Sequence, residues 1–269
     1  NAIELLNPIT DEFKVMRTTM APSVLSAAAY NLARQHSKVA IFEVGRVYLP
    51  KELPLKEQPD EISMLCAVMS GKANDLNWCT SRDNVDFCDM KGVVEGLMAK
   101  LMLNDYKLVH YAVPYLHPGK SCAVEVDGKI IGWFGELHPL AQEAYGLPQE
   151  AYILELEIEP LVAAAIAVPK YKHLAKYPSM SRDIAVVVPL EVTNAELEAV
   201  IRAHGGELLK DVKVFDIYTG KQVAEGCKSM AFNLTYQAAD RTLTDAEVDA
   251  SMKTVIAKVA EEYKAELRA

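Results

Sequence analysis

The stretch SMAFNLTYQAADRTLTDAEV, residues 229–248, compresses a strand, a turn and the start of a helix. Within Ser229–Tyr236, Met230, Phe232, Leu234 and Tyr236 share one parity, and Ala231, Asn233 and Thr235 share the other. Side chains alternate across a strand, so the first set belongs against helices and the second on an open face. Thr244-Asp245-Ala246-Glu247 matches a capping box, in which hydroxyl and carboxylate satisfy the free N–H groups of a helix start. The helix it opens gathers Val248, Met252, Val255, Ile256, Val259 and Tyr263 on one side. Upstream, Val212–Tyr218 reads as a strand joined to the first by a glycine-containing loop, and Arg182–Val188 reads as another. Between these two, Thr193-Asn194-Ala195-Glu196 is a second capping box, and Leu197, Val200 and Ile201 continue its helix until Gly205-Gly206 stops it. A short last strand fits Ala265–Ala269. The order β-α-β-β-α-β predicts a ferredoxin-like unit over residues 171–269.

Residues 1–170 predict a second, different α+β unit. Asn7-Pro8-Ile9-Thr10 reads as a turn ahead of the segment Phe13–Met20, and Pro22 suits the first turn of an Ala-rich helix over Ser23–Gln35. Val39–Leu49 is a strand or strand pair, the Pro- and charge-rich Pro50–Asp60 a connector, and Glu61–Ser70 a strand. Met90, Val93, Val94, Leu97 and Leu101 recur at helical spacing in Asp86–Leu103. Cys122–Val126 and Lys129–Phe134 flank the hairpin signature Asp127-Gly128, and Ala151–Ile158 closes the unit as a strand. After Pro160 the chain reads as a connector. The expected architecture is a mixed, largely antiparallel sheet with helices packed on it.

Composition narrows the function. At 269 residues and 51% hydrophobic, the chain has enough apolar surface to build cores rather than stay disordered. The longest apolar run, Leu161–Val168, is far short of the roughly 20 residues a membrane helix needs. The net charge of −9 argues against a nucleic-acid binder that relies on a broad basic surface. It leaves room for a local patch, because residues 1–170 carry 15 basic and 22 acidic side chains whereas 171–269 carry 13 and 15. Five cysteines without a C-x-x-C pair suit a reducing cytosol and make a poor disulfide or zinc framework. A first residue Asn1 in place of Met suggests a piece of a longer polypeptide.

No nucleotide-binding, metalloprotease or hydrolase motif is present. His117 and His138 each precede a proline and read as turn chemistry. Asp83, Asp86 and Asp89 read as a solvated helix start rather than a metal site. We expect no catalytic residue and no metal ligand in this chain.

Several strings carry a resemblance in a shared order. NPITDEFKVMRTTMAPSVL with FEVGRVY (within 7–48), VDFCDMKGVVEGLM (85–98), YLHPGKSCAVEVDGKIIGWFGELHP (115–139) and ILELEIEPL (153–161) resemble the catalytic-like module of bacterial phenylalanine–tRNA ligase β subunits. YPSMSRDIAVVV (177–188), VFDIYTG (214–220), residues 229–248 and the closing ELR (266–268) resemble the C-terminal anticodon-binding domain of that subunit. The resemblance implies a class II synthetase-like module over 1–170 followed by a ferredoxin-fold anticodon-binding domain over 171–269. It also implies a cytoplasmic α2β2 enzyme that joins phenylalanine to tRNA(Phe) using ATP and Mg2+, with its active site on the α subunit and neither cofactor bound by this region. Arg46-Val47-Tyr48 resembles motif 2 of the active subunit, where an arginine follows to hold ATP phosphates; here Leu49 and Pro50 follow, and neither can supply that fork. Arg17 and Arg46 therefore read as structural ion-pair residues.

By the same resemblance, Tyr177, Ser179, Arg182, Tyr218, Lys221, Asn233 and Arg241 are the candidates for RNA contact. The competing reading makes Tyr177, Arg182 and Asp183 a turn that holds the first strand. The helix Ser23–Arg34, rich in small residues, is a candidate face for the α subunit, with packing on its own sheet as the alternative. Two rival functions remain at this level: a small-molecule-sensing ferredoxin-like domain fused to a dead synthetase-like module, and a stand-alone ligase.

Overall fold

The computed structural model describes every residue except 1, 11–13, 76, 82, 172, 221 and 269. The start of the Phe13–Met20 segment, the RNA-contact candidate Lys221 and the last residue of the expected final strand thus lie outside the described residues. The chain divides into two compact units, Asn1–Lys170 and Tyr171–Ala269.

The first unit runs α1 (Ala21–Leu32), β1 (Lys38–Leu49), β2 (Asp60–Gly71), α2 (Phe87–Lys100), β3 (Tyr106–His110), β4 (Leu116–Val126), β5 (Lys129–Leu137), α3 (Pro139–Ala144), β6 (Ala151–Glu157) and α4 (Ile158–Ala164). Its six strands form one sheet in the order β1-β2-β6-β5-β4-β3, and every ladder among them is antiparallel. Cores lie on both faces. Met20, Val24, Leu25 and Ala28 pack on Val47, Cys66, Val68 and Ile153 on one side. Met90, Val94 and Met98 pack on Phe134, Leu154 and Leu156 on the other.

Expectation and structure differ at particular places. Val39–Leu49 is one continuous strand rather than a pair. Its glycine is no turn: a Cβ at Gly45 would lie 2.1 Å from Arg17 Nη2, so the missing side chain makes room for the guanidinium lying over the strand. Strand β4 begins six residues earlier than Cys122, and β3 is an element that the sequence reading lacks. The expected connector after Pro160 starts inside α4, which runs from Ile158 to Ala164. Of the two His-Pro sites, His138 lies outside the strands as the N-cap of α3, its Nδ1 accepting from Leu140 N at 3.2 Å, whereas His117 lies inside β4 rather than in a turn, its Nδ1 accepting from Gly119 N at 3.1 Å. Asp86 and Asp89 form the capping box of α2, each carboxylate accepting from the other residue's backbone N–H.

The second unit runs β7 (Met180–Pro189), α5 (Asn194–His204), β8 (Leu209–Tyr218), β9 (Cys227–Tyr236), α6 (Asp245–Tyr263) and β10 (Glu266–Leu267). The sheet order β10-β7-β9-β8 is the ferredoxin-like arrangement. Met230, Phe232, Leu234 and Tyr236 are all buried, together with Leu197, Ile201, Val248, Val255 and Val259 from the two helices. Burying each large apolar side chain contributes about 1.5–3 kcal/mol, so the alternation in β9 commits the sheet to one covered and one open face.

Candidate nucleic-acid interface

Register defines the open face of the second unit. Pairing places Asp183, Asn233 and Lys213 in one row across β7, β9 and β8. The next row holds Ala185, Ala231 and Asp216, and the row after it Val187, Ser229 and Tyr218. Rows of this kind lie two residues apart, about 6.8 Å along a strand. Strand β10 adds Glu266 opposite Val187, and the Arg268 N–H donates to Ala185 O at 2.9 Å, which aligns Arg268 with the alanine row.

Tyr218 reaches this face because β8 is irregular. Val212 and Val214 pair with the core residues Leu234 and Phe232, and simple alternation would send Asp216 and Tyr218 to the core as well. A bulge between Val214 and Asp216 takes up one extra residue, Phe215, and turns Asp216 and Tyr218 outward. Two further devices set the ring. A Cβ on Gly220 would lie 2.4 Å from the Tyr218 hydroxyl, so only glycine lets the phenol fold over that loop. The Arg268 guanidinium carbon sits 4.7 Å from the ring centroid, and Arg268 Nη2 donates to Gln222 Oε1 at 2.7 Å. Small side chains at Ala185 and Ala231 lie between the two strands that carry this pair. The result is a cation–aromatic pair on the open face of the sheet, and an aromatic ring so placed is a group on which a splayed base can stack.

The other candidates divide. Asn233 is on the open face, where its Nδ2 donates to Asp183 Oδ1 at 2.6 Å. Tyr177 is half-buried, and its carbonyl accepts from Gln237 Nε2 at 2.6 Å, which ties the entry to β7 down. Ser179 is exposed just before β7. Arg182 has core parity, opposite Leu234, and pairs with Asp245 and, at 3.7 Å, Asp249 of α6. It faces the helices and does not share the open face, and it lies within β7 rather than in the turn of the competing reading. Arg241 lies in the loop before α6 and pairs with Glu247 at 2.6 Å and Asp240 at 3.0 Å. Its hydrogen bond, followed by those from Thr244, draws the Glu247 carboxyl down to about 2. Arg268, Asp216 and Lys213 escaped the sequence reading; the ELR string was visible, but its pairing with β7 was not.

The first unit shows what became of its sheet face under α1. Glu155, buried on β6, accepts from Thr19 Oγ1 at both oxygens, from Met20 N at 2.6 Å and from Tyr115 OH at 3.2 Å, while Trp133 Nε1 donates to Tyr115 OH at 2.7 Å. Burial, reinforced by Glu155, raises the Tyr115 phenol and the neighbouring Cys66 thiol well above their usual ranges, which keeps Cys66 an unreactive thiol. Arg17 pairs with Glu43 at 2.7 Å and Arg46 with Glu61 at 2.8 Å, as structural ion pairs do.

Comparison with known proteins adds the family. The second unit matches the ferredoxin-fold anticodon binding domain over residues 175–268, the class of module that its open sheet already suggests. The first matches the phenylalanyl tRNA synthetase beta chain CLM domain over residues 1–158, and the chain belongs to the phenylalanyl-tRNA synthetase β-chain family. The phenylalanine–tRNA ligase β subunit of Symbiobacterium thermophilum is 42% identical over 92% of this chain and 28% of the relative. Those of Bacillus subtilis and Legionella pneumophila are each 38% identical, over 97% and 99% of this chain and 32% and 33% of the relatives. The chain thus spans about a third of the length of these relatives. A pyrrolysyl-tRNA synthetase structure from Desulfitobacterium hafniense is similar at TM-score 0.44 and 16% identity, over 60% of this chain and 52% of that one. The match over 175–268 is to an anticodon-binding family, which removes the small-molecule-sensing reading of the second unit.

Proposed function

We propose that this chain is the noncatalytic C-terminal region of a phenylalanine–tRNA ligase β subunit, whose second unit reads the anticodon of tRNA(Phe) and whose first unit serves assembly with the α subunit. The single observation that carries the reading is the Tyr218–Arg268 pair on the open face of a unit matching an anticodon-binding family. Aminoacylation proceeds on the α subunit, in a cytoplasmic α2β2 enzyme using ATP and Mg2+. The free cysteines, none in a disulfide among the described residues, fit that compartment.

The residues of the first unit do not fit ATP or Mg2+. Arg17 and Arg46 are engaged by Glu43 and Glu61, Leu49 and Pro50 follow where a phosphate-binding arginine is needed, and the Glu155 oxygens are taken by Thr19, Met20 and Tyr115. No step is therefore assigned to either group here. Assembly has its own support in β1, an edge strand that exposes Phe42 and Val44 beside a groove lined by Leu65, Ala67, Met69 and Val93. An apolar face of this kind marks a protein contact.

The test is Tyr218→Ala in the assembled ligase. Base–aromatic stacking is worth about 1–3 kcal/mol, so KM for tRNA should rise by about five- to 150-fold while pyrophosphate exchange, which needs no tRNA, stays unchanged. An unchanged KM would remove this face from tRNA recognition. Pyrophosphate exchange by this chain alone would instead revive the stand-alone ligase.

A further inference from the structure

We infer that the segment Lys170–Tyr177, together with Lys213, is a phosphate-binding arm that holds the RNA backbone beside the open sheet face of the second unit. This rests on the reading of that unit as a tRNA-binding module, and it adds a surface that supplies affinity without reading bases.

Three observations converge. First, charge is spread unevenly along this acidic chain. No Asp or Glu occurs from residue 160 to residue 182, although 37 acidic side chains in 269 residues would put about three in a stretch of that length. Lys170, Lys172, His173 and Lys176 all fall inside the gap. Lys172 lies outside the described residues. Lys170, His173 and Lys176 are exposed, and among the described residues neither lysine has an ion-pair partner. Arg182, Arg202 and Arg241 of the second unit are, by contrast, each paired with carboxylates. A cation with no carboxylate beside it keeps its charge for a phosphate.

Second, the segment is open. The described residues of 165–179 belong to no helix or strand. Pro169 and Pro178 bound the arm, and each removes an N–H and restricts the residue before it, which keeps this stretch out of helices. Its large side chains stay in solvent: Tyr171 is 79% and Leu174 85% exposed, and the Tyr171 ring stands edge-on to His173 at 5.3 Å between centroids. Exposed aromatic rings interleaved with lysines suit a nucleic acid, which offers bases to stack as well as phosphates, better than an acidic protein.

Third, the arm joins a defined end of the open face. The Tyr177 carbonyl accepts from Gln237 Nε2 at 2.6 Å, and Gln237 directly follows β9. At this end β7 starts and β9 finishes, with Met180 opposite Tyr236. Lys213 lies opposite Asn233, three residues from that end of β9, and is exposed without an ion-pair partner among the described residues. Tyr218, opposite Ser229, occupies the other end. An RNA strand with a base stacked on Tyr218 can thus run its backbone toward the arm and Lys213.

The experiment measures binding of tRNA(Phe), with native and altered anticodons, to this 269-residue chain between about 50 and 200 mM salt. Lys170→Ala, Lys176→Ala and Lys213→Ala should each weaken both RNAs alike, by about fivefold, and lower the salt slope by about one. Tyr171→Ala should weaken binding by about fivefold or more at an unchanged slope; unchanged affinity would strike the ring from the arm. Lys253→Ala removes the same charge from the exposed side of α6, which packs on the covered face, and should leave the slope unchanged. Slopes unmoved by Lys170→Ala and Lys176→Ala, with binding weakened by Tyr218→Ala, overturn the arm and leave the open face standing. A slope lowered equally by Lys253→Ala means diffuse attraction and overturns it too. The expected slopes with Tyr218→Ala without effect keep the arm and remove the open face. Absence of binding by the unaltered chain at the lowest salt overturns the arm, while the KM of Tyr218→Ala in the assembled ligase still decides the open face.

Discussion

At the scale of single residues, Glu155 organises the first unit and Tyr218 the second, and each depends on a neighbour that the sequence does not advertise. Glu155 is buried in β6 and uses both oxygens on Thr19, at 2.9 and 2.8 Å, besides the Met20 N–H and the Tyr115 hydroxyl. These bonds tie the entry of α1 to the central strand of the sheet. Removing one donor from a buried carboxyl group leaves its desolvation uncompensated, which costs more than the net value of the bond. Thr19→Val, matched in shape, is therefore expected to destabilise the chain by about 2 kcal/mol. A urea titration that found the midpoint unmoved would show that the Met20 and Tyr115 contacts suffice.

At the scale of elements, both capping boxes were legible from Thr-x-x-Glu alone, and both are present as read. Local signals of this kind involve residues three apart, so no knowledge of tertiary structure is needed to find them. They also predict a pH response. Hydrogen bonds from the Thr193 side chain and backbone lower the Glu196 carboxyl, and the Arg241 contact, then the Thr244 bonds, bring Glu247 down to about 2. A carboxyl lowered in the folded state contributes stability above its unfolded value, near 4.5, that is lost as pH falls toward the folded value. The melting temperature should therefore drop from about pH 4.5 toward pH 2, and Glu247→Gln should flatten part of that drop while lowering stability at neutral pH. An identical acid profile in the variant would locate the response elsewhere. The bulge in β8 was not legible in the same way. Val212, Val214, Asp216 and Tyr218 alternate without a break in the sequence, and only pairing with β9 shows that Phe215 is the extra residue. That one residue decides whether Tyr218 faces the core or the open side, so the sequence singled out Tyr218 without a geometric reason for its position. Arg182 is the converse case, a cation adjacent to open-face residues whose own parity sends it to Asp245 and Asp249.

At the scale of the whole molecule, the order of elements in each unit follows from hydrophobic period and caps, while the surfaces that make the chain part of a larger enzyme do not. The Ala-rich helix shows why. Its small residues suggest a close-packed partner face, yet Ala21, Val24, Leu25, Ala28 and Leu32 are buried on its own sheet, and its outer side carries Tyr30 with Arg34 stacked over the ring at 3.2 Å. Strand β1 reads as an ordinary strand, and only the sheet order shows it to be an edge with Phe42 and Val44 74% and 60% exposed. If α-subunit contact depends on that face, Phe42→Glu should abolish capture of the α subunit by this chain, whereas Ala27→Glu on the outer side of α1 should leave it intact. Charge inserted into a desolvated contact is costly, and charge added to a solvated helix face is not. The opposite pattern would return the interface to α1, and capture by both variants would place the contact elsewhere on this chain. The same preparation separates assembly from recognition. With a net charge of only −2 in its second unit, this chain should retain tRNA weakly and with anticodon dependence, because phosphate neutralisation supplies most affinity and linkage within the full enzyme raises effective concentration. Submicromolar, anticodon-dependent binding by the isolated chain at physiological salt would mean that the open face needs no such help.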